Sequence, residues 1–260
     1  MTRYRAVLTG ASGGIGHAIA AALAPSCDAL LLVGRDRERL AETAAAAGPA
    51  ARTRAADHAT RAGRDAVELD GINLLINNAG ACDVAWLAGQ SDATLERIVE
   101  TNVLAPMQLT RRLLPQLARA PQAWIVNVGS IFGYLGYPGH AAYSASKFAL
   151  RGFSEALRRE LADGPVRVLY FAPRATRTAM NGAGLVALNR ELGVAMDDPA
   201  AVAQSLMRLL RRPARERLLG MPERLFARVN QLAPGLVDRA LRRQLSTIRR
   251  HAPASPEADS

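Results

Sequence analysis

The chain has 260 residues, is 49% hydrophobic and carries a formal net charge of +10. That is enough apolar chain for one large domain or two small ones with a full core, and no apolar run approaches the roughly 20 residues that cross a bilayer. Residues 208–250 hold twelve arginines against Glu216, Glu223 and Asp238, a net of +9, while residues 1–207 net only +3, and basicity confined to one segment argues against a nucleic-acid-binding domain.

Met1 to Arg5 lead straight into an apolar run without a signal-peptide pattern. The two cysteines, Cys27 and Cys82, lack metal-ligand spacing, and the four scattered histidines form no metal motif. The expectation is a cytoplasmic protein with no metal and no disulfide framework. Residues 5–9 read as a buried strand ending at a Gly-rich turn, and Ile15 to Leu23 as an Ala-rich helix. Ala29 to Val33 is a second strand and Arg35 to Ala47 a second helix. A third strand near 51–56, a short helix around 59–68 and a fourth strand at 72–76 follow. Residues 92–119 read as a long helical stretch containing Pro106 and Pro115. Residues 123–128 are a fifth strand, 142–161 a long helix and 166–171 a sixth strand. Continuous apolar strands alternating with helices imply βαβ units and an α/β, doubly wound parallel sheet.

The segment 175–198 reads as a loop over the site, and its mostly apolar residues (among them Met180, Leu188 and Met196) suit either a lipophilic substrate or packing on the core. A single body at 1–220 is followed by a basic helical extension at 221–250, in two stretches near 222–232 and 235–249. Residues 251–260, with Pro253, Pro256 and acids, read as a disordered tail.

Of the 33 basic side chains, one is a lysine: Lys147, in the run Tyr143-Ser-Ala-Ser-Lys147. Where every generic cation is arginine, a retained lysine suggests chemistry that needs a compact ammonium. On a helix, Tyr143 and Lys147 share a face. An ammonium beside a phenol lowers the phenol's pKa and makes it a usable acid or base. Thr9-Gly10-Ala-Ser12-Gly13-Gly14-Ile15-Gly16 lies between a strand and a helix. Glycine there lets the backbone approach a pyrophosphate, and the helix N-terminus favours the anion, as in a dinucleotide fingerprint.

Together with Asn77-Asn78-Ala79-Gly80 after the fourth strand, Asn102, and Ser130 thirteen residues before Tyr143, these motifs resemble the short-chain dehydrogenase/reductase family over residues 5 to about 220. The resemblance implies a single Rossmann-like domain with about seven parallel strands. It implies Tyr143 as general acid/base, Ser130 as the holder of the substrate oxygen, and Asn102 as the anchor of a water in a proton relay. Lys147 would bind the nicotinamide ribose and lower the Tyr143 pKa. Cofactor contacts are implied at Thr9, Gly10, Ser12, Gly14, Ile15, Gly16, Asn78, Ala79, Gly80, Tyr143, Lys147, Pro173 and Thr178. It also implies a homodimer or homotetramer built on the long helices near 94–119 and 142–161, the second with an apolar stripe of Ala142, Ala145, Ala149, Phe153 and Leu157.

Gly34 stands where NAD enzymes often place a carboxylate for the ribose 2′-hydroxyl, and Arg35 follows it. A guanidinium beside an open glycine suits a 2′-phosphate, which favours NADP(H) over NAD(H). The alternative is a solvated Arg35 at a helix start with Asp36 as N-cap. Asp57 resembles the family's adenine-contacting acid; the other reading is a helix N-cap.

The chain departs from the family pattern in three places. The stretch from Asp57 to Asn77 is short, so its helix is truncated. Pro173-Arg174 replaces the usual Pro-Gly, and Arg174 either meets the cofactor or an acidic substrate or faces solvent. Phe132, Tyr134, Leu135, Tyr137 and His140 precede Tyr143 as a pocket wall or as packing for a second subunit. In the extension, Leu236, Val237, Ala240, Leu241, Leu245 and Ile248 fall near helical spacing, with Arg239, Arg242, Arg243, Arg249 and Arg250 mainly between them. Packing on the body is the favoured reading; weak contact with a membrane surface or an acidic partner is the other. The activity the resemblance implies is NADPH-dependent reduction of a ketone or aldehyde, or oxidation of the alcohol. The alternatives are a 3-oxoacyl-thioester reductase and a non-catalytic NADP(H)-sensing or scaffold protein.

Overall fold

The computed structural model describes residues 3–251. Seven strands, β1 (Tyr4–Thr9), β2 (Cys27–Gly34), β3 (Ala51–Ala55), β4 (Leu74–Asn77), β5 (Ala123–Val128), β6 (Val166–Ala172) and β7 (Glu216–Leu218), form one sheet in the order β3-β2-β1-β4-β5-β6-β7. All six pairings are parallel. The connecting helices are α1 (Gly14–Leu23), α2 (Arg37–Ala47), α3 (Arg61–Asp65), α4 (Asp92–Val99), α5 (Ala105–Leu117), α6 (Ala141–Glu160), α7 (Ala183–Glu191) and α8 (Pro199–Arg211). Helices α9 (Met221–Leu232) and α10 (Pro234–His251) follow the sheet.

Both sheet faces are covered, which is why the strands read as continuous apolar runs. Leu8, Leu32, Ile76 and Val126 bury one face under α1 and α8, with Ile19, Leu23, Val202 and Leu206. Val7, Leu31, Leu75, Ile125 and Val168 bury the other under α5 and α6, with Leu109, Leu113, Leu117 and Leu157. Helix starts follow the expected chemistry: Asp36, Thr60, Ser91 and Asp198 each accept a backbone N–H of the first turn. The chain passes from β1 outward to β3 and then returns to β4 on the far side of β1. That reversal opens a crevice at the C-terminal ends of β1 and β4, the place where such sheets bind ligands.

The stretch 92–119 is helical from Asp92 to Leu117, with a π-helical segment, Glu100–Leu104, between α4 and α5. Three expectations change. The segment 175–198 is not simply a loop, since α7 lies within it and a bridge joins Thr176 to Asp197. Phe153 and Leu157 do not extend an outward stripe on α6 but pack into the core. His251 ends α10 rather than starting the tail, and residues 252–260 lie outside the described residues. On α10, Val237, Leu241 and Ile248 are buried, the first two against Leu135 and the third against Leu188. No helix among the described residues is long and apolar enough to cross a membrane.

Candidate active site

The crevice begins with the Gly-rich turn after β1. Gly10 has φ +65°, a left-handed conformation, and a Cβ there would lie 2.6 Å from Cα of Ala79. A Cβ on Gly16 would lie 2.1 Å from the carbonyl oxygen of Gly10. Both positions therefore have to be glycine. The turn is tied to the segment after β4. Thr9 Oγ1 accepts from the backbone N–H groups of Asn78 (3.1 Å) and Ala79 (3.2 Å). Asn78 Nδ2 donates to the carbonyls of Thr9 (3.0 Å) and Gly10 (3.1 Å). Ile15 anchors α1 on the core. No side chain caps α1, and its first turn holds no acid. Its free N–H groups are thus open to an anion. Thr178 lies over Gly14, its Cγ2 2.9 Å from where a Cβ would be. These residues fit a dinucleotide pyrophosphate.

At the far end of β2, a Cβ on Gly34 would come 2.8 Å from Ser12 Oγ, so the glycine makes room for that hydroxyl. Arg35 is exposed beside it and forms no side-chain hydrogen bond or ion pair among the described residues. Asp36 is the N-cap of α2, accepting from Arg39 N at 3.1 Å. Asp57 is half-buried, and its Oδ1 accepts from Ala59 N at 3.0 Å in its own turn; Thr60 is the N-cap of α3. Asp57 thus holds its loop, with one carboxylate oxygen bound in it.

The reacting end is built from β5, α6 and the π segment. Ser130 follows β5, with 9% of its surface exposed, and its Oγ accepts from Phe132 N at 3.2 Å. That leaves the hydroxyl proton free to donate. Lys147 is buried one turn along α6 from Tyr143, its Nζ donating to Val128 O at 3.1 Å and lying 5.6 Å from the Tyr143 ring centre. A Cβ on Gly80 would meet Asn102 Oδ1 at 3.4 Å and Lys147 Nζ at 3.6 Å, so the Asn78-Ala79-Gly80 segment runs past both. The side chain of Asn102 makes three hydrogen bonds: Oδ1 accepts from Ala81 N (2.7 Å), and Nδ2 donates to Ala81 O (2.8 Å) and Ser146 Oγ (2.9 Å). Ser146 Oγ in turn donates to Tyr143 O at 2.7 Å. The Asn102 side chain is therefore a clamp between Ala81 and α6, and the π segment is the local geometry that turns it inward.

The electrostatics correct one expectation. Tyr143 is not pulled toward neutrality; burial raises its pKa above the ordinary 10, and the neighbouring Ser130 hydroxyl only partly opposes that. The same burial lowers Lys147 to about 8. Cys82 was missed by sequence reasoning although it is close enough to couple with both. Burial pushes its thiol up to about 12, so it remains a neutral lining group. Tyr170 was missed as well. It is fully buried on β6, and its hydroxyl donates to Lys147 O at 3.2 Å. The only hint in the sequence is a tyrosine inside an apolar strand.

The aromatic segment before Tyr143 divides. Phe132 stacks on Tyr137 (5.1 Å between ring centres) and meets His140 (4.9 Å) and Tyr143 (6.2 Å, edge-on). Burial lowers the pKa of His140, which keeps it a neutral part of this wall. Tyr134 turns away, donating to Glu216 at 2.7 Å with Arg151 over its ring, and Leu135 packs under α10. Pro173 is buried, its carbonyl accepting from Ile131 N at 3.2 Å. Arg174 neither faces open solvent nor stands free for a ligand. Its guanidinium pairs with Asp197 (2.7 Å) and Glu223 (3.3 Å), joining the segment after β6 to the start of α9.

A family model described as short chain dehydrogenase matches residues 5–185. The ketoacyl reductase HetN of Nostoc sp. is 31% identical over 258 residues, covering 93% of this chain and 89% of its own. A solved short chain dehydrogenase/reductase from Burkholderia phymatum, in complex with NAD, matches with a TM-score of 0.80 at 25% identity over 90% of this chain and 95% of that one. The closed form of serine dehydrogenase complexed with NADP+ matches with a TM-score of 0.75 at 25% identity, over 82% and 93%.

Proposed function

The chain belongs to the short-chain dehydrogenase/reductase family and is a nicotinamide-dependent oxidoreductase, and on that premise we propose that it uses NADPH to reduce a ketone or aldehyde in the cytoplasm. The observation that carries this reading is a phenol held above its ordinary pKa beside a serine hydroxyl with a free proton and a buried ammonium. A phenol that stays protonated at neutral pH is a proton donor, which suits reduction.

The bound nicotinamide would supply the hydride to the carbonyl carbon. Ser130 Oγ donates to the carbonyl oxygen and stabilises the charge that develops there. Tyr143 gives that oxygen its proton, leaving a phenolate beside the Lys147 ammonium. Lys147 would also hold the nicotinamide ribose. Asn102 keeps Ala81 and α6 in register, so Gly80 and Lys147 hold their spacing. Thr9, Gly10, Ser12, Gly14, Ile15, Gly16 and Thr178 would cradle the pyrophosphate end, with Asn78, Ala79 and Pro173 framing the crevice. In the reverse direction the same groups serve alcohol oxidation.

NADPH is preferred in this reading because Arg35 is an uncommitted cation beside Gly34. Arg35→Ala should weaken NADPH by roughly 10- to 100-fold, one charge-assisted hydrogen bond, and leave NADH nearly unchanged. Parallel titrations of both cofactors check this; equal losses would mean that Arg35 does not read the 2′-phosphate. Asp57 is proposed as the adenine-side contact. NADPH consumption across a panel of ketones and aldehydes tests the activity and separates an enzyme from a cofactor-sensing scaffold. A 3-oxoacyl thioester is the second reading, favoured by the likeness to a ketoacyl reductase.

Two partner readings accompany this function: weak contact of the basic C-terminal region with a membrane surface, and a second copy of the chain. Ala145, Phe148, Ala149 and Gly152 lie exposed on α6, and Phe148 and Ala145 line a depression of about 610 Å³ beside α10. Small residues with one aromatic knob suit helix-to-helix pairing. Light scattering at micromolar concentration should give at least a dimer mass, and a monomer would remove this assembly.

A further inference from the structure

The outer face of α9 carries side chains that belong inside a protein. At 100° per residue, Met221, Leu225, Arg228 and Leu232 fall within about 60° of one another on the helix. Met221 is 74% exposed, Leu225 65% and Leu232 87%, and Leu236, just past the turn into α10, is 57% exposed. The opposite side of the helix is the one that packs. Ala227 is buried among Ile131, Tyr134, Leu150 and Tyr170, Asn230 Nδ2 donates to Tyr134 O at 2.9 Å, and Glu223 reaches Arg174. The exposed leucines are therefore a second apolar face, separate from the one that holds the helix down. A contiguous exposed apolar patch on a soluble domain marks a contact surface.

The charge around the patch has one sign. Arg228 lies in the stripe, and Arg239 and Arg243 follow Leu236 on the outer face of α10; all three are exposed and form no ion pair among the described residues. The two acids of this region are turned away, Glu223 to Arg174 and Asp238 to the far side of α10, beside Leu241 and Arg242. A second copy docked here by two-fold symmetry would set arginines against arginines. An anionic lipid surface meets both features: leucine and methionine enter the headgroup boundary, and arginines meet the lipid charge.

We propose that the outer face of α9 and the first turn of α10 form a docking surface for anionic membranes, centred on Met221, Leu225, Leu232 and Leu236 with Arg228, Arg239 and Arg243. The surface differs from the apolar stripe of α10, which is spent on the body, and it does not depend on the reaction assigned above.

The test is co-sedimentation of the full chain with vesicles of phosphatidylcholine alone and of phosphatidylcholine mixed with phosphatidylglycerol. Protein should pellet with the anionic vesicles at low salt, stay in solution with the neutral ones, and be released at high salt. Leu225→Ser/Leu232→Ser should lower binding by at least roughly 10-fold, and each of Arg228→Ala and Arg239→Ala by roughly 5-fold. The leucines are exposed, so melting temperature and turnover should stay at the parent values, which separates lost docking from lost fold. No pelleting at low salt, equal pelleting with neutral vesicles, or unchanged binding of the double leucine variant would each overturn the proposal. So would a self-associated mass that falls to monomer in that variant, since the occupant would then be a second copy.

Discussion

Tyr143→Phe should lower turnover by roughly 10²- to 10⁴-fold, the range for removing a positioned acid, and leave NADPH binding within a small factor of the parent. The ring keeps its edge contact with Phe132, so only the hydroxyl is lost. Single-turnover NADPH oxidation and a fluorescence titration of the cofactor separate the two quantities. Activity near the parent level would remove Tyr143 from the mechanism.

The pH profile supplies a second reading of the same site. Burial sets Lys147 at about 8, below its ordinary 10.5. The ammonium that would stabilise the phenolate is present below pH 8 and lost above it, so the reduction rate should fall as pH rises through about 8. Stability moves the other way. Between about 8 and 10.5 the unfolded chain binds the proton and the folded chain does not, so the contribution of Lys147 to stability rises with pH in that window. A loss of rate without a loss of melting temperature therefore assigns the fall to Lys147 and not to unfolding. A flat rate profile from pH 7 to pH 9 would contradict that assignment.

The elements that the sequence made legible are those whose local chemistry agrees with the fold. Ala123–Val128 is buried at every position, and the strand is legible because nothing in Ala-Trp-Ile-Val-Asn-Val argues for a helix or a turn. The Gly-rich turn was legible because backbone contact at Gly10 and Gly16 admits no side chain. By contrast β7 is Glu216-Arg217-Leu218, three residues with one apolar side chain; it is a strand because it pairs with Tyr170 to Ala172, which no local pattern announces. The sequence leaves Arg174 open between a ligand contact and a solvated group because its partners, Asp197 and Glu223, lie 23 and 49 residues away. The direction of the Tyr143 pKa failed for a related reason. The Tyr-x-x-x-Lys spacing shows the ammonium, but burial is the larger effect and arises from segments remote in sequence, among them the one that brings Cys82 near. Ser146 was in view inside the Tyr143 to Lys147 run, yet its link from Asn102 to Tyr143 needs the π segment to exist.

Gly129→Ala should have a large effect although Gly129 is placed at neither substrate nor cofactor. Gly129 immediately precedes Ser130, and its N–H donates to Phe171 O at 2.7 Å. A Cβ there would lie 2.1 Å from Cζ and Oη of Tyr170. That ring has 0% exposure, so it cannot swing out to solvent. Its hydroxyl is fixed on Lys147 O, and Gly133 closes the other side, where a Cβ would come within 2.3 Å of the same oxygen. One added methyl must therefore move Ser130 or displace Tyr170, and displacing Tyr170 shifts the backbone of Lys147. Overpacking of this kind costs about 1–3 kcal/mol of stability, and a displacement near 1 Å in the Ser130–Lys147 geometry costs on the order of 100-fold in turnover. Tyr170→Leu removes the ring that the methyl strikes, at its own cost in packing and in the Lys147 hydrogen bond. In the double variant the second substitution should cost much less than it does alone, and the melting temperatures and kcat values of the four proteins form the cycle that shows it. Losses that simply add would mean that Gly129 acts through something other than Tyr170.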